Sequence, residues 1–155
     1  MFAESTRADR CGWNTARLVQ AASTDSPEQF IRRMYAQWNA HGIRSLADAF
    51  LDAQVQYNDD AAWPGGGAHR GRAAVIARFE EVVEVLGLRE AVVERVIHRG
   101  EEVAWVIRST GRSPRADVPN DHRWGYTGRI TGGKLVRFEA YYDADEAFAT
   151  LARSV

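Results

Sequence analysis

The sequence lacks features that mark several large protein classes. Its 155 residues contain a single cysteine, Cys11, so no disulfide can form within the chain and a cluster of thiolate metal ligands is not expected. No segment approaches the roughly 18 consecutive apolar residues of a membrane span, and the first residues lack the apolar run of a secretion signal. We therefore expect a cytoplasmic protein that does not bind or cross a membrane.

The charges leave no surplus of either sign. Twenty Lys and Arg residues face 21 Asp and Glu residues, which gives a formal net charge of -1, so we do not expect nucleic acid as a partner. No His, Cys, Asp or Glu group has the spacing of a metal site. The three glycines at 65–67 lack the flanking strand, helix and lysine of a phosphate-binding loop. We expect no metal and no cofactor.

The chain length predicts one domain. Residues 1–24 show no clean hydrophobic period, and we interpret them as an N-terminal extension preceding a domain at 25–155. The extension is either loosely held or forms a short helix around Trp13, Leu18 and Val19 that docks on the body or on a partner.

Helices are predicted first along the domain. Ser26 should begin one, because Gln29 completes a capping box with it and Pro27 suits the first helical turn. Gly42 should end that helix. A short helix around 46–50 follows, and a longer one at about 72–86 carries an apolar stripe.

The remaining pattern predicts a sheet. Residues 53–59, "AQVQYND", alternate as a strand, with Val55, Tyr57 and Asp59 on one face. The next segment reads "AAWPGGGAHRG" and is predicted to be a loop. Two hairpins follow, joining "EAVVERVIH" to "EVAWVIRST" and "HRWGYTGRI" to "KLVRFEAYY", before a terminal helix over "DADEAFATLARSV". Helices followed by an antiparallel sheet indicate the α+β class.

Three motifs carry a resemblance to a known family. They read "YAQWNAHG", "AHRGRAAVIARF" and "GGKLVRFEAYYD". With the order of elements over about 26–151, they resemble the SnoaL-like branch of the nuclear transport factor 2-like superfamily, whose relatives include ketosteroid isomerase, polyketide cyclases and limonene-epoxide hydrolase. The resemblance implies a cystatin-like cone in which a curved antiparallel sheet wraps around helices and encloses a cavity. This superfamily hosts unrelated enzymes and many non-enzymes.

The resemblance also assigns positions to residues. Tyr35 falls where the isomerase has its oxyanion-hole tyrosine. Tyr57 falls where it has its proton-shuttling aspartate, and Tyr126 where it has the protonated aspartate that assists the tyrosine. Ala140 falls at an essential aspartate of the epoxide hydrolase. The resemblance therefore implies an isomerase-like hydrogen-bond donor without the carboxylates of either reaction.

Asp59 and His69 are the candidates for acid–base chemistry. Asp59 shares a strand face with Tyr57, and a carboxylate in an apolar cavity can act as a base near neutral pH. His69 precedes a helix at a position that, in the family, often lies near the cavity mouth, and it could relay protons with Asp59. Alternatively, Asp59 and Asp60 are turn residues that accept backbone hydrogen bonds before the glycine loop, and His69 fixes the adjacent turn. His122 could also reach the rim.

Aromatic residues are the candidates for ligand binding. Tyr35, Tyr57 and Tyr126 could donate hydrogen bonds to an enolate oxygen, or they are core side chains whose hydroxyls have internal partners. Apolar walls are expected from Trp38, Trp63, Trp124, Phe138 and Tyr142. Such a cavity suits a flat or cyclic ligand of the polyketide, steroid-like or terpenoid kind, although ordinary core packing gives the same pattern.

Arg108 has two alternative placements. It points inward, where it could pair with Asp59 or with a ligand carboxylate, or Val103, Trp105 and Ile107 form the inward face and leave Arg108 outside.

The opposite sheet face is predicted to mediate dimerisation. Alternation places a mixed polar set there, and relatives commonly pair through this face, so we expect a homodimer. The set comprises Arg123, Gly125, Thr127, Arg137, Glu139 and Tyr141.

Three functions are compatible with the sequence. The first is an enzyme that isomerises, cyclises or dehydrates a small hydrophobic carbonyl compound, with Asp59 or His69 moving the proton and Tyr35 or Tyr126 holding the oxyanion. The second is a non-catalytic module that binds a small molecule in the same cavity. The third is a protein-interaction domain whose cavity is filled by its own side chains.

Overall fold

The computed structural model describes residues 25–63, 66–115 and 117–153. The N-terminal extension predicted at 1–24 lies outside the described residues. The four helices are α1 (Pro27–His41), α2 (Ile43–Phe50), α3 (Arg72–Leu86) and α4 (Ala144–Arg153). The six strands are β1 (Leu51–Asn58), β2 (Ala68–Arg70), β3 (Leu88–Arg99), β4 (Glu102–Arg112), β5 (Pro119–Thr131) and β6 (Lys134–Tyr141). The α+β class is confirmed.

Helix α1 begins and ends as the sequence predicts. The Ser26 hydroxyl accepts a hydrogen bond from the Gln29 amide at 3.1 Å, and the Gln29 side chain accepts one from the Ser26 amide at 2.9 Å. This capping box satisfies donors that the first turn leaves unpaired. Gly42 ends the helix with φ 90°, a conformation that glycine adopts without steric cost. The helix buries Phe30 and Met34 in the core.

The strands form one sheet in the order β2-β1-β6-β5-β4-β3. The predicted hairpins are β3–β4 and β5–β6, both antiparallel, while β1 and β6 pair in parallel. Register shifts interrupt the β1–β6, β3–β4 and β5–β6 pairings, and such irregularities bend a sheet. The curved sheet packs one face against α1, α2 and α3, where the main core lies.

The prediction of a continuous loop after Asp59 was wrong for three residues. Residues 68–70 form β2, which pairs with the edge of β1 so that His69 lies opposite Tyr57. The proline and glycines that favoured a loop are confined to 64–67, and the residues after them find backbone partners on β1. The two predicted hairpins are joined by a short connection, because β4 and β5 extend to leave only 113–118 between them.

Different helices pack on the two faces of the sheet. Val103, Trp105 and Ile107 of β4 belong to the main core, on the face toward α1–α3. On the other face α4 packs closely against β5, where a Cβ built on Gly125 would lie 2.6 Å from the Ala144 carbonyl oxygen. The residues predicted to face away from the cavity lie on this α4 side, so α4 covers part of the proposed dimer surface. The homodimer stays a prediction.

Among the helices of the described ranges, none is long and apolar enough to cross a membrane.

Candidate functional site

A largely apolar cavity of about 70 Å³ lies between α1–α3 and the concave face of the sheet. A buried water requires roughly 10–15 Å³ by this measure, so there is room for several waters or a compact ligand. Aromatic rings crowd its centre: the Tyr57 ring centroid lies 4.5 Å from that of Phe138 and 4.9 Å from that of Phe79. The polar groups that reach this space are few, and they determine what the cavity can do.

Most of the predicted wall residues line the cavity. Those that do so are Trp38, Tyr57, Trp63, Trp124 and Phe138. Tyr142 is half exposed and lies at the rim, where its ring stacks on His122 at 4.4 Å between centroids and also faces Trp63. His122 contacts the Trp124 ring edge-on and pairs with the Tyr142 carbonyl oxygen at 3.1 Å. These two residues therefore form part of the outer rim.

Asp59 provides a buried carboxylate on the cavity wall. It follows β1 directly, and its side chain is only 5% exposed. Its Oδ2 atom accepts a hydrogen bond from Arg78 Nε at 2.9 Å and lies 2.9 Å from His69 Nε2. Of the two aspartates to which the sequence allowed a turn role, Asp60 has it: its carboxylate accepts hydrogen bonds from the Ala62 and Tyr142 amides.

Arg78 is the site residue that sequence reasoning missed. It lies on α3 between Val75 and Phe79 in the apolar stripe, and its side chain is 6% exposed. Its Nη1 lies 3.5 Å from the exposed Glu81 carboxylate, while Nη2 is buried and has no hydrogen-bond partner in the described ranges. A charged residue within an apolar stripe was the available signal, because buried arginine is rare unless it is paired.

His69 reaches the cavity through Asp59. Strand β2 holds its ring beside that of Tyr57, with the centroids 5.8 Å apart. Its side chain is 22% exposed, and it is not one of the residues that line the cavity. The imidazole thus connects a buried carboxylate with the protein surface, which is the arrangement that a proton relay requires.

Three phenols face the same space. The Tyr35 hydroxyl accepts a hydrogen bond from Trp105 Nε1 at 3.0 Å; since an indole only donates, the Tyr35 proton remains available to another acceptor. Tyr126 is 6% exposed and stacks on Trp105. Burial raises the pKa of Tyr35, Tyr57 and Tyr126, and the Asp59 charge raises that of Tyr57 further. All three hydroxyls are therefore neutral donors at physiological pH.

Arg108 lies outside the cavity. Its Nε donates to Asp121 at 2.8 Å, and its side chain is 53% exposed. The structure therefore has the second of the two predicted arrangements, with Val103, Trp105 and Ile107 inward, and the inward placement of Arg108 is wrong. The alternation of β4 carries Arg108 to the outer face, and Arg78 pairs with Asp59 in its place.

No group of three or more His, Cys, Asp or Glu side chains in the described part of the chain is placed to hold a metal ion.

The cone and its cavity place the chain in a recognisable class, the nuclear transport factor 2-like or ketosteroid isomerase-like fold. The sequence profile of the SnoaL-like domain matches residues 31–142, so the chain belongs to this family. No curated protein matches the sequence.

Solved structures with this fold are similar over most of the chain at low sequence identity. One is a hypothetical protein from Catenulispora acidiphila in complex with trimethylamine (18% identity, TM-score 0.63, covering 83% of this chain and 95% of that one). Another is a candidate SnoaL-like polyketide cyclase from Mesorhizobium loti (11% identity, TM-score 0.62, covering 76% of this chain and 100% of that one). A third is TerC co-crystallised with polyporic acid (19% identity, TM-score 0.63, covering 81% of this chain and 96% of that one). At these identities the similarity shows the fold alone.

Proposed function

We propose that the domain binds a small hydrophobic cyclic molecule in this cavity and isomerises, cyclises or dehydrates it by acid–base chemistry without a cofactor. The observation that carries the proposal is the Asp59 carboxylate, which is buried, paired and placed on the wall of an otherwise apolar space. Burying a charge costs folding free energy even when it is paired. Its location on a cavity wall supports a role in chemistry there.

The contacts of Asp59 suggest how it acts. Both Arg78 and His69 meet Oδ2, so Oδ1 is free of these two partners and can take a proton from a bound molecule. The Tyr57 phenol is also close enough to hydrogen-bond to this carboxylate. Arg78 compensates the negative charge before the proton is taken. His69 then exchanges that proton between Asp59 and the solvent at the rim.

The phenols can stabilise the negative charge that forms when Asp59 removes a proton. When a proton leaves the carbon next to a carbonyl, negative charge develops on the carbonyl oxygen. Hydrogen bonds from fixed donors to that oxygen are usually the largest catalytic contribution. Tyr35 and Tyr126 are neutral donors on the same wall, and Tyr35 is positioned by Trp105. Return of the proton to another carbon gives isomerisation, attack by the enolate carbon on a second carbonyl closes a ring, and expulsion of a hydroxyl gives dehydration.

The relatives support a cyclic ligand. TerC was co-crystallised with polyporic acid, and the Mesorhizobium loti protein is a candidate polyketide cyclase. A non-catalytic binding module is the second candidate. It is favoured by the tyrosines, Tyr57 and Tyr126, at the two positions where the isomerase has carboxylates. An open cavity favours both of these over an interaction domain.

Hydrogen–deuterium exchange tests the proposal without knowledge of the natural substrate. The protein is incubated in D₂O with a panel of cyclic ketones and enones, and deuterium incorporation next to the carbonyl is followed by NMR. We expect Asp59→Asn to slow exchange by about 10² to 10⁴, the usual contribution of a general base. Asp48→Asn, on the exposed part of α2, should leave exchange unchanged.

His69 gives a second comparison in the same assay. His69→Ala should reduce exchange less than Asp59→Asn, because solvent can still reach the carboxylate slowly. His98→Ala, at an exposed strand end, is its matched control. If panel compounds bind and none exchanges faster than with the Asp59→Asn protein, the domain is a binding module and the enzymatic proposal fails.

A further inference from the structure

We infer that the cavity selects cyclic ligands that carry an anionic oxygen, such as that of a carboxylate. Arg78 Nη2, which has no partner in the described ranges, would bind this oxygen. The inference rests on the proposed function only in taking the cavity as the ligand site. It adds the chemical class of the ligand and assigns the group that recognises it.

The hydrogen bonds of Arg78 show what is missing. Nε donates to Asp59, and Nη1 has a long contact with Glu81 at 3.5 Å. Nη2 is buried and has no partner within the described ranges. Buried charged donors are almost always paired, and Arg78 is itself part of the cavity wall. A ligand oxygen in the cavity would supply the absent acceptor, and a charged oxygen accepts from guanidinium more strongly than a neutral one.

The other polar groups of the wall point the same way. The Tyr35 proton is available because Trp105 only donates to that hydroxyl. No hydrogen bond within the described ranges involves the Tyr126 hydroxyl, which belongs to the same wall. Several acceptor atoms of the wall already have partners within the protein. Asp59 Oδ2 is bound by Arg78 and His69, and the Asp60 carboxylate accepts hydrogen bonds from two backbone amides. Three donors of the wall, Arg78 Nη2 and the Tyr35 and Tyr126 hydroxyls, thus have no acceptor within the described ranges.

The charges allow an anion despite the nearby carboxylate. Asp59 and Arg78 cancel each other, and the charge of Asp60, which also lines the cavity, is offset in part by the two backbone amides that donate to its carboxylate. Glu81 is 65% exposed on its side chain, so water screens its repulsion of the ligand.

Benzoate and benzyl alcohol provide a direct test, because they share a ring and differ in the charge of the oxygen group. Binding is followed by calorimetry and by the fluorescence of the wall tryptophans. We expect the wild-type protein to bind benzoate at least about tenfold more tightly than benzyl alcohol, as a charge-assisted contact implies. If the two bind equally, the inference is overturned while a ligand-binding cavity stands. If neither binds, the inference is overturned as well, and exchange with the cyclic ketone panel decides the proposed function separately.

Variants then locate the contact. In Arg78→Lys the single ammonium group can pair with Asp59 but cannot also present a second nitrogen to the ligand. Benzoate affinity should fall at least about tenfold, while benzyl alcohol binding changes little. The double variant D59N/R78Q removes both charges together and should bind the two probes equally.

Arg108→Gln is the matched control, since it removes an arginine charge from outside the cavity. It should leave benzoate binding unchanged. A benzoate affinity that depends on Arg108 and not on Arg78 would overturn the inference. Circular dichroism establishes whether each variant is folded. If a variant does not fold, the ratio of benzoate to benzyl alcohol affinity in the wild-type protein tests the inference by itself.

Discussion

Ion pairs on the two faces of the sheet have similar lengths but very different surroundings. On the inner face, Arg78 Nε and Asp59 Oδ2 are 2.9 Å apart, with side chains 6% and 5% exposed. On the outer face, Arg129 and Arg137 both reach Glu102, at 2.9 and 2.6 Å, with the arginines 41% and 53% exposed. Water can replace either partner of the outer pairs but not of the inner pair. Burial, more than distance, decides what each pair contributes.

Breaking the inner pair should have the largest effect. Arg78→Met leaves the Asp59 carboxylate buried without its arginine, and removal of one partner of a buried pair typically costs about 3–5 kcal/mol. Arg137→Met on the outer face should cost less than about 1 kcal/mol. Urea unfolding of both variants measures the difference. Equal losses would show that water reaches the inner pair as readily as the outer one.

Adding Asp59→Asn to the Arg78→Met protein sharpens this result. The double variant has no buried charge left without a partner, so much of the lost stability should return. If the double variant regains stability but does not catalyse deuterium exchange, the effect of the Asp59–Arg78 pair on folding is separate from its role in the reaction.

An intermediate effect is expected where α4 packs on the outer face. Gly125→Ala places a Cβ 2.6 Å from the Ala144 carbonyl oxygen and 2.9 Å from the Ala147 Cβ. Helix α4 must move to accommodate it, and overpacking of this kind costs about 1–3 kcal/mol. Gly67→Ala, where a Cβ meets open space, is the control. An unchanged melting temperature for Gly125→Ala would mean that α4 is held less closely than the contacts indicate.

A pH-dependent effect concerns the inner-face phenols. Burial raises the pKa of Tyr35, Tyr57 and Tyr126, so the folded protein keeps protons that the unfolded chain loses near about pH 10. Folding stability is therefore fully present below that pH and declines as pH rises above it. Ultraviolet absorbance of the folded protein should show the three buried phenols still protonated at about pH 10. Their ionisation at that pH in a protein that is still folded would contradict this.

Local patterns predicted much of the architecture. The capping box at Ser26 and the glycines between β5 and β6 are short-range signals, and the elements form where they indicate. Alternation along β1 correctly grouped Tyr57 with Asp59. The short strand β2 was missed because its partner strand, and not its own sequence, determines its conformation.

The site was harder to predict because its key contact joins distant elements. Arg78 is 19 positions from Asp59, and neither residue's neighbours in sequence indicate the pairing. Arg108 illustrates the same limit, since strand alternation alone allowed both faces and its partner, Asp121, belongs to the next strand. Long-range charge pairs depend on packing that no local pattern contains.

Strand β2 has one more consequence. Its pairing with β1 fixes Asp59 and His69 at the two bases of a short loop, and the Asp59 amide donates to the Gly67 carbonyl oxygen to close it. Trp63 projects from this loop to the cavity. The described glycines of this loop differ in what they allow: a Cβ at Gly67 meets open space, whereas a Cβ at Gly66 would lie 3.0 Å from the Asp59 Cβ and 2.9 Å from the Trp63 carbonyl oxygen. A side chain at Gly66 would therefore push against both the buried acid and the aromatic wall beside it, so the composition of the loop and the position of the carboxylate cannot vary independently.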